Sequence, residues 1–268
     1  MLGFVYLFIP IAVIVAFSFN KPAGKFNIVW REFTLDNWAD PFAEGPLMDA
    51  MIVSLKVAAL ASIGATILGS LVAIALVRYR FKGGRIVDLL LVLPLTAPEI
   101  VLGASLLTLF LNINFATGFA TIVLAHVMFI VSYVVVTVKA RLIDFDRHLE
   151  EAAMDLGANE WVTFRKVTLP LLAPAILSAA LLGFALSIDD FVITYFVSGP
   201  TQTFPLFVWG AARVAVPPQV NVIASAIFLV AVLVMIGNVL WGLRARRARE
   251  SMPAAVPLPE TLPRTEPA

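Results

Sequence analysis

The chain has 268 residues, of which 60% are hydrophobic and 14% charged, and its mean hydropathy is +0.94. An ordinary soluble domain has an apolar share near half and a charged share near a quarter. The composition therefore excludes an ordinary soluble domain and predicts a membrane protein. The net charge of +1 excludes nucleic acid as a partner, because phosphate binding requires a concentrated basic surplus. The sequence has no cysteine, and its two histidines, His126 and His148, belong to no metal-spacing motif, which argues against a disulfide framework, a thiolate nucleophile and a metal site.

Apolar runs long enough to cross a bilayer, which takes about 20 residues, occur at six places. They are residues 1–19, 50–77, 87–111, 118–138, 171–197 and 220–243. The sequence therefore predicts an all-α membrane protein with six transmembrane helices and both termini on one side of the membrane.

Lysine and arginine are distributed unevenly among the connections. Fourteen of the 19 lie between spans two and three, between spans four and five, or after span six. Because these residues collect on the cytoplasmic side, both termini are predicted to be cytoplasmic.

Two segments outside the spans are predicted to be polar. Residues 20–49 carry Trp30, Trp38, five acidic side chains and three prolines, which indicates an extracytoplasmic loop that either docks a partner or is simply solvated. Residues 244–268 are rich in Pro, Ala and Thr in their later part and predict a disordered cytoplasmic tail.

The second span repeats small residues at intervals of four: Ala61, Ala65, Gly69 and Ala73. A stripe of this kind lets helix backbones approach closely in lipid. It predicts a helix-packing face rather than a binding site.

The connection at residues 139–170 is over thirty residues long and has internal order. One apolar stripe, spaced i, i+3, i+4 and i+7, predicts a short helix; it consists of Leu149, Ala152, Ala153 and Leu156. Gly157 is predicted to end this helix, and a second short helix carries Trp161 and Phe164 and closes at Pro170. The pair could lie on lipid headgroups or fit a groove in a cytoplasmic partner.

Residues 150–170, EEAAMDLGANEWVTFRKVTLP, resemble the EAA signature of bacterial ATP-binding-cassette (ABC) importer permeases. The matching positions are Glu151, Ala152, Ala153, Gly157, Val167, Leu169 and Pro170; Val167 stands where isoleucine is commonest. The resemblance implies a type I, MetI-like permease fold in which residues 139–170 form a coupling loop that inserts into a cleft of an ATPase subunit.

The same resemblance implies the partners: a homologous permease, two copies of a cytoplasmic ATPase, an extracytoplasmic substrate-binding protein and membrane lipid. The sequence itself contains no G-x-x-x-x-G-K-[ST] phosphate loop. The chain is therefore predicted to be a transport subunit rather than an enzyme, with no cofactor of its own, and to depend on a partner that uses ATP and Mg.

Three carboxylates fall inside predicted spans, where an ionisable side chain costs about 2.5–3.5 kcal/mol and marks a functional candidate. They are Glu99 and the adjacent pair Asp189 and Asp190, and all three are predicted to be ligands along the substrate pathway. Pro94 and Pro98 precede Glu99 and are expected to loosen the backbone where a cavity forms.

The two aspartates point about 100° apart if the helix continues. Asp190 shares its face with Ser187 and Thr194, so these three are predicted to line the substrate pathway. Asp189 is expected to pair with a partner subunit or to cap a broken helix end. The alternative is that the carboxylates only pair with Lys56 or Arg213 within the bundle.

Acidic groups along a dry pathway suit cations. The stretches 186–200, LSIDDFVITYFVSGP, and 96–107, TAPEIVLGASLL, resemble the spermidine/putrescine branch of these permeases, which implies polyamine import through the inner membrane of a prokaryote. Two alternatives stay open: a related importer for an amino-acid derivative, thiamine or ferric iron, and an ion-coupled secondary transporter.

Overall fold

The computed structural model describes residues 2–79 and 82–250. Regular structure in these ranges is helical apart from isolated bridges that pair Asn20 with Phe33 and Phe26 with Val216. The helices are α1 (Leu2–Ser18), α2 (Asp36–Ala39), α3 (Gly45–Arg78), α4 (Gly84–Thr96), α5 (Glu99–Asn112), α6 (Phe119–Ile143), α7 (His148–Asp155), α8 (Glu160–Thr163), α9 (Leu169–Asp189), α10 (Val192–Val197), α11 (Phe204–Val214) and α12 (Pro218–Glu250). A π-helical turn, Phe164–Thr168, joins α8 to α9.

The described residues form two compact units, the smaller of which comprises residues 2–22, 28–41 and 218–250. In it α1 packs against α12. The segment after α1 is ordered rather than merely solvated: the amide of Asn37 donates to the carbonyls of Ser18 at 3.0 Å and Asn20 at 2.9 Å. The ring of Phe19 stacks on Trp38 with centroids 5.5 Å apart.

The predicted tail at 244–268 is partly a helix. α12 continues to Glu250, because residues 244–250, RARRARE, are almost all strong helix formers. Residues 251–268 lie outside the described residues.

The larger unit, residues 23–27 and 42–217, is built around α3, which packs against α6 and α9. The predicted small-residue stripe is confirmed as its packing face, since Ala61, Ala65 and Ala73 are fully buried. A Cβ atom on Gly69 would stand 2.7 Å from the side chain of Val134. The close approach of α3 to α6 therefore requires glycine at this position.

The predicted span at 87–111 is broken by a bend. The chain forms two helices, α4 and α5, that meet at an angle of 111°. Ala97 and Pro98 are extended between them, with ψ of 140° and 129°. The cause is Pro98, whose ring disfavours a helical conformation for the residue before it.

The predicted span at 171–197 is also interrupted. α9 ends at Asp189, Asp190 is extended with ψ of 121°, and α10 begins at Val192.

The second short helix of the coupling loop does not stop at Pro170 as predicted, because α8, the π-helical turn and α9 form one continuous helical run, Glu160–Asp189. The π-helical turn widens the backbone just before the proline, which then occupies the first turn of α9, where a missing N–H costs little.

Within residues 2–79 and 82–250, three helical runs are long and apolar enough to cross a membrane alone: α3, α6 and the continuous run Glu160–Asp189. The bent pair of α4 and α5 would make a fourth, and shorter apolar stretches lie in α1, α11 and α12. The chain is thus an all-α, multi-pass membrane protein, and the total of six spans stays a prediction.

Candidate functional site

A cavity of about 300 Å³ opens in the larger unit where α4 turns into α5 and α9 turns into α10. Carboxylates and aromatic rings share its wall. The lining residues are Pro94, Glu99, Leu102, Phe129, Tyr133, Leu186, Asp189, Asp190, Phe191, Val192 and Ile193. The three carboxylates singled out from the sequence therefore meet at one cavity.

Glu99 reaches the cavity because of the bend at Pro98. It is the first residue of α5 and is exposed. The cavity that the prolines were expected to create is present.

The two aspartates have opposite surroundings. The side chain of Asp190 is only 6% exposed, and its Oδ2 accepts hydrogen bonds from the backbone N–H of Thr194 at 2.8 Å and from the Thr194 hydroxyl at 2.7 Å. Asp189 is exposed at the end of α9. Asp190 therefore caps the broken helix end, a role that was expected of Asp189. Both aspartates line the cavity, to which Asp189 offers the more open carboxylate.

A buried histidine completes the surroundings of Asp190. His126 on α6 is 1% exposed; its Nδ1 lies 2.6 Å from the Ser187 hydroxyl, and its Nε2 lies 3.2 Å from Asp190 Oδ2 and 3.0 Å from the Thr194 hydroxyl. Ser187 and Thr194, expected to line a pathway, are instead buried against α6. The polar stripe packs inward because His126 supplies its hydrogen-bond partners.

The alternative was that the carboxylates pair with Lys56 or Arg213, but the basic partner found for Asp190 is a different residue. Asp190 pairs with His126, whereas the guanidinium of Arg213 lies 4.6 Å from the ring centre of Trp209 and Lys56 is exposed. Sequence reasoning missed His126 because it was judged only as a possible metal ligand. The usable signal was an ionisable residue in the middle of an apolar span.

Chemically, the cavity suits an organic cation. Glu99 and Asp189 can accept hydrogen bonds from ammonium groups, and the rings of Phe129, Tyr133 and Phe191 can cover methylene groups or face a positive charge.

The second candidate region, the coupling segment, consists of α7, α8 and the turn between them. Its apolar side chains are exposed: Leu149 is 48%, Leu156 90% and Trp161 67% accessible. The positions that match the EAA signature are mostly open as well; Glu151, Ala152, Gly157, Leu169 and Pro170 are exposed, and Ala153 is half-buried. An exposed apolar face of this kind is typical of a docking surface.

Gly157 ends α7 as predicted. Its φ is +91°, in the left-handed region that glycine enters without strain. Its backbone N–H donates to the carbonyl of Met154 at 2.9 Å. The glycine therefore turns the chain from α7 towards α8, whose start is capped by the Asn159 side chain.

Glu150, adjacent to the matched Glu151, was not predicted to act. It is buried, and its carboxylate pairs with the guanidinium of Arg78 at the end of α3 and accepts a hydrogen bond from the hydroxyl of Thr168 in the π-helical turn. The second Arg78–Glu150 contact is 2.6 Å. Although burial raises the pKa of Glu150, hydrogen bonds from Arg78 and Thr168 outweigh it and hold the pKa below its ordinary value. The pair anchors α7 to both α3 and α9.

Known proteins identify the class. The fold resembles a chain of a bacterial ABC transporter involved in the import of the acidic polysaccharide alginate (TM-score 0.66, 16% identity, 88% of this chain and 92% of that one). It also resembles a chain of the MetNI methionine ABC transporter (TM-score 0.58, 18% identity, 76% of this chain and 98% of that one). The predicted fold class, a type I ABC importer permease, is confirmed.

The family model described as the inner membrane component of binding-protein-dependent transport systems matches residues 65–250. The chain belongs to this family of transport subunits. It is 39% identical over 258 residues to the putrescine transport system permease protein PotI of Escherichia coli strain K12, covering 93% of this chain and 90% of that protein. The spermidine/putrescine permease protein PotC is 39% identical in Haemophilus influenzae (87% and 90% covered) and 38% identical in Escherichia coli K12 (88% and 89% covered).

Proposed function

We propose that this chain is the permease subunit of an ATP-driven importer for polyamines such as putrescine and spermidine. The observation that carries the proposal is the cavity at the two helix breaks, where Glu99 and Asp189 present carboxylates beside Phe129, Tyr133 and Phe191. The names of the relatives, putrescine and spermidine/putrescine permeases, support the same cargo.

A polyamine consists of ammonium groups joined by methylene chains, so it needs negative charge and apolar contact at once. A carboxylate offsets the desolvation of an ammonium group, and an aromatic ring attracts it through its electron-rich face. Glu99 and Asp189 supply the first and the rings the second. An anionic cargo would meet two carboxylates of like charge.

The importer is proposed to contain a homologous permease that completes the pathway, two copies of a cytoplasmic ATPase, and an extracytoplasmic binding protein that delivers the cargo. ATP and Mg are used by the ATPase. The exposed apolar side chains of Leu149, Leu156 and Trp161 support docking of the coupling segment into an ATPase groove. The buried Arg78–Glu150 pair would pass the movement of that groove to α3.

The transporter is proposed to lie in the inner membrane of a prokaryote with both termini in the cytoplasm. Arg78, at the end of α3, pairs with Glu150 in the coupling segment. Lys139, near the end of α6, bonds to Asp88 of α4 at 2.5 Å. Basic ends of spans therefore gather at the level of the segment that would meet the ATPase, which supports the positive-inside assignment.

The test is uptake of radiolabelled putrescine and spermidine into vesicles that contain the assembled transporter and its binding protein. ATP-dependent uptake is expected, with competition by unlabelled polyamines and not by thiamine, ferric iron or amino-acid derivatives. Uptake that survives ATP depletion while an ion gradient is maintained would point to a secondary transporter. Competition by one of the other cargoes alone would replace the polyamine assignment.

A further inference from the structure

The break between α9 and α10 is not required by the local sequence. Residues 184–197, FALSIDDFVITYFV, contain neither glycine nor proline, the usual causes of an interrupted helix. Within the break the Asp190 carboxylate caps the start of α10 through the Thr194 N–H, and contacts from elsewhere in the fold add to this local cap. Among them, His126 reaches both sides of the break.

His126 bonds to α9 before the break and to α10 after it. Ser187, two residues before the end of α9, lies 2.6 Å from Nδ1, while Asp190 and Thr194 lie 3.2 and 3.0 Å from Nε2. The imidazole also meets the ring of Phe129 edge-on, with centroids 5.5 Å apart. His126, Ser187 and Thr194 are all at least 95% buried, so their hydrogen bonds are not exchanged for water.

The hydrogen-bond roles are mutually compatible. The Thr194 hydroxyl donates to Asp190 Oδ2, which leaves it able to accept from His126. An imidazole with a proton on Nε2 donates to Thr194 and Asp190, and its Nδ1 bonds to the Ser187 hydroxyl. Both ring nitrogens therefore have partners, as a buried network requires.

The positions of the two open carboxylates of the cavity, Glu99 and Asp189, depend on where α10 lies. Asp189 is the last residue before the break. Glu99 lies one turn before Gly103 on α5, and a Cβ atom on Gly103 would stand 2.6 Å from the Phe196 ring and 3.3 Å from the Ile193 backbone. Because α5 touches α10 this closely, a shift of α10 would move Glu99 as well.

We propose that His126 is a positioning residue that sets the spacing between Glu99 and Asp189, and through it the spacing of ammonium groups that the cavity accepts. The inference rests on the proposed polyamine import. His126 does not touch the cargo; it holds the helix break from which α10, and with it α5, takes its position.

The experiment combines a distance measurement with uptake. The chain has no cysteine, so spin labels at Leu177→Cys on α9 and Tyr195→Cys on α10, both exposed positions, report the geometry of the break in the assembled transporter with cysteine-free partners. The variants are His126→Phe, which keeps a ring without hydrogen bonds, and His126→Gln, which keeps a donor near the Nε2 position. Thr137→Val on the same helix is the control, since the Thr137 hydroxyl bonds to the Tyr133 carbonyl of its own helix.

His126→Phe is expected to at least double the width of the distance distribution and to change the ratio of spermidine to putrescine uptake at least threefold, measured without the labels. His126→Gln and Thr137→Val should stay within about twofold of the parent in both readouts. A merely structural role would lower the uptake of both polyamines equally and leave the ratio unchanged.

An unchanged distance distribution in His126→Phe would overturn the proposal, and so would a broadened distribution with an unchanged ratio. If His126→Phe does not assemble, Ser187→Ala removes only the contact before the break and must broaden the distribution for the proposal to stand. If the parent transporter carries neither polyamine, the proposed function fails, while the distance distributions still decide whether His126 holds the break.

Discussion

Two acidic doublets, Glu150–Glu151 in the coupling segment and Asp189–Asp190 at the cavity, follow one pattern. In each, one carboxylate is buried and bound by a basic side chain from another helix: Glu150 by Arg78 and Asp190 by His126. The other carboxylate of each doublet is exposed. Because adjacent side chains on a helix point in different directions, a doublet can anchor a helix interruption with one residue and leave the next free for a partner or cargo.

The doublets differ in what surrounds them. The coupling segment keeps its apolar side chains exposed, and its anchor lies at the edge of the bundle, with the Arg78 side chain 21% accessible. The cavity doublet is anchored deeper, where the His126 side chain is 1% accessible. A docking surface needs one firm attachment and an open face, whereas a cargo site needs several helices held in register.

The largest expected effect is on the buried member of the cavity doublet. Asp190→Ala removes the acceptor for Thr194 and the partner of His126, and breaking a buried pair costs about 3 kcal/mol. Denaturant unfolding in mixed micelles should show a loss of this size, whereas Asp189→Ala should change the free energy of unfolding by less than about 0.5 kcal/mol. Equal losses in both variants would remove the distinction between the two aspartates.

Asp189→Asn should instead affect transport. We expect polyamine uptake to fall about tenfold, which corresponds to about 1.4 kcal/mol, while the amount of assembled transporter stays unchanged, because an exposed charge is removed and no packing is lost. Initial uptake rates at equal transporter content measure this. Undiminished uptake would move the cargo contacts away from the end of α9.

Gly157 separates backbone strain from crowding in the coupling segment. No neighbouring atom lies within 4 Å of a Cβ placed there, so an uncharged substitution tests only the φ of +91°. Gly157→Val should cost about 1–2 kcal/mol locally and lower ATPase binding. Gly157→Asp tolerates the conformation but adds a negative charge to the exposed segment, and it should lower coupled transport. Gly157→Asn, which tolerates this conformation, should behave almost normally. Co-purification of the ATPase with each of the three variants measures how strongly each substitution weakens ATPase binding.

Glu150→Gln should have a smaller effect than the preceding substitutions, because the glutamine amide has the shape of the carboxylate and lacks only its charge. Hydrogen exchange across residues 148–157 is expected to rise about threefold in Glu150→Gln and to stay unchanged in Glu151→Gln. The matched residue Glu151 should instead affect ATPase binding. If Glu151→Gln raised the exchange and Glu150→Gln weakened ATPase binding, the pattern of the doublets would be contradicted.

The same link has a defined pH dependence. Because the pKa of Glu150 is lowered in the folded state, its contribution to stability is complete above the ordinary pKa of a glutamate and is lost as the pH falls through the lowered native value. Exchange across α7 should therefore be independent of this group between neutral pH and the ordinary glutamate pKa. If protection from exchange across α7 already began to fall above the ordinary glutamate pKa as the pH is lowered, the assignment would be contradicted.

The coupling segment could be predicted from the sequence because its features are contiguous: the spacing from Glu151 to Pro170 and the apolar stripe lie on one stretch of chain. The break at Pro98 was signalled by a proline. The break at Asp190 has neither glycine nor proline to signal it, and the contacts that His126 makes on both of its sides join residues 61 to 68 positions apart. For the same reason the surroundings of the two aspartates could not be separated by helix periodicity, which assumes that the helix continues.

The central claim is that a polyamine passes between Glu99 and Asp189 while Asp190 stays bound to His126. A cryo-EM structure of the assembled transporter trapped with spermidine tests it most directly. We predict an ammonium group within hydrogen-bonding distance, about 2.7–3.2 Å, of each of the two open carboxylates, with the His126–Asp190 contact intact. Spermidine bound to Asp190 with that contact broken, or a cavity without spermidine in a structure that holds it elsewhere along the pathway, would contradict the account.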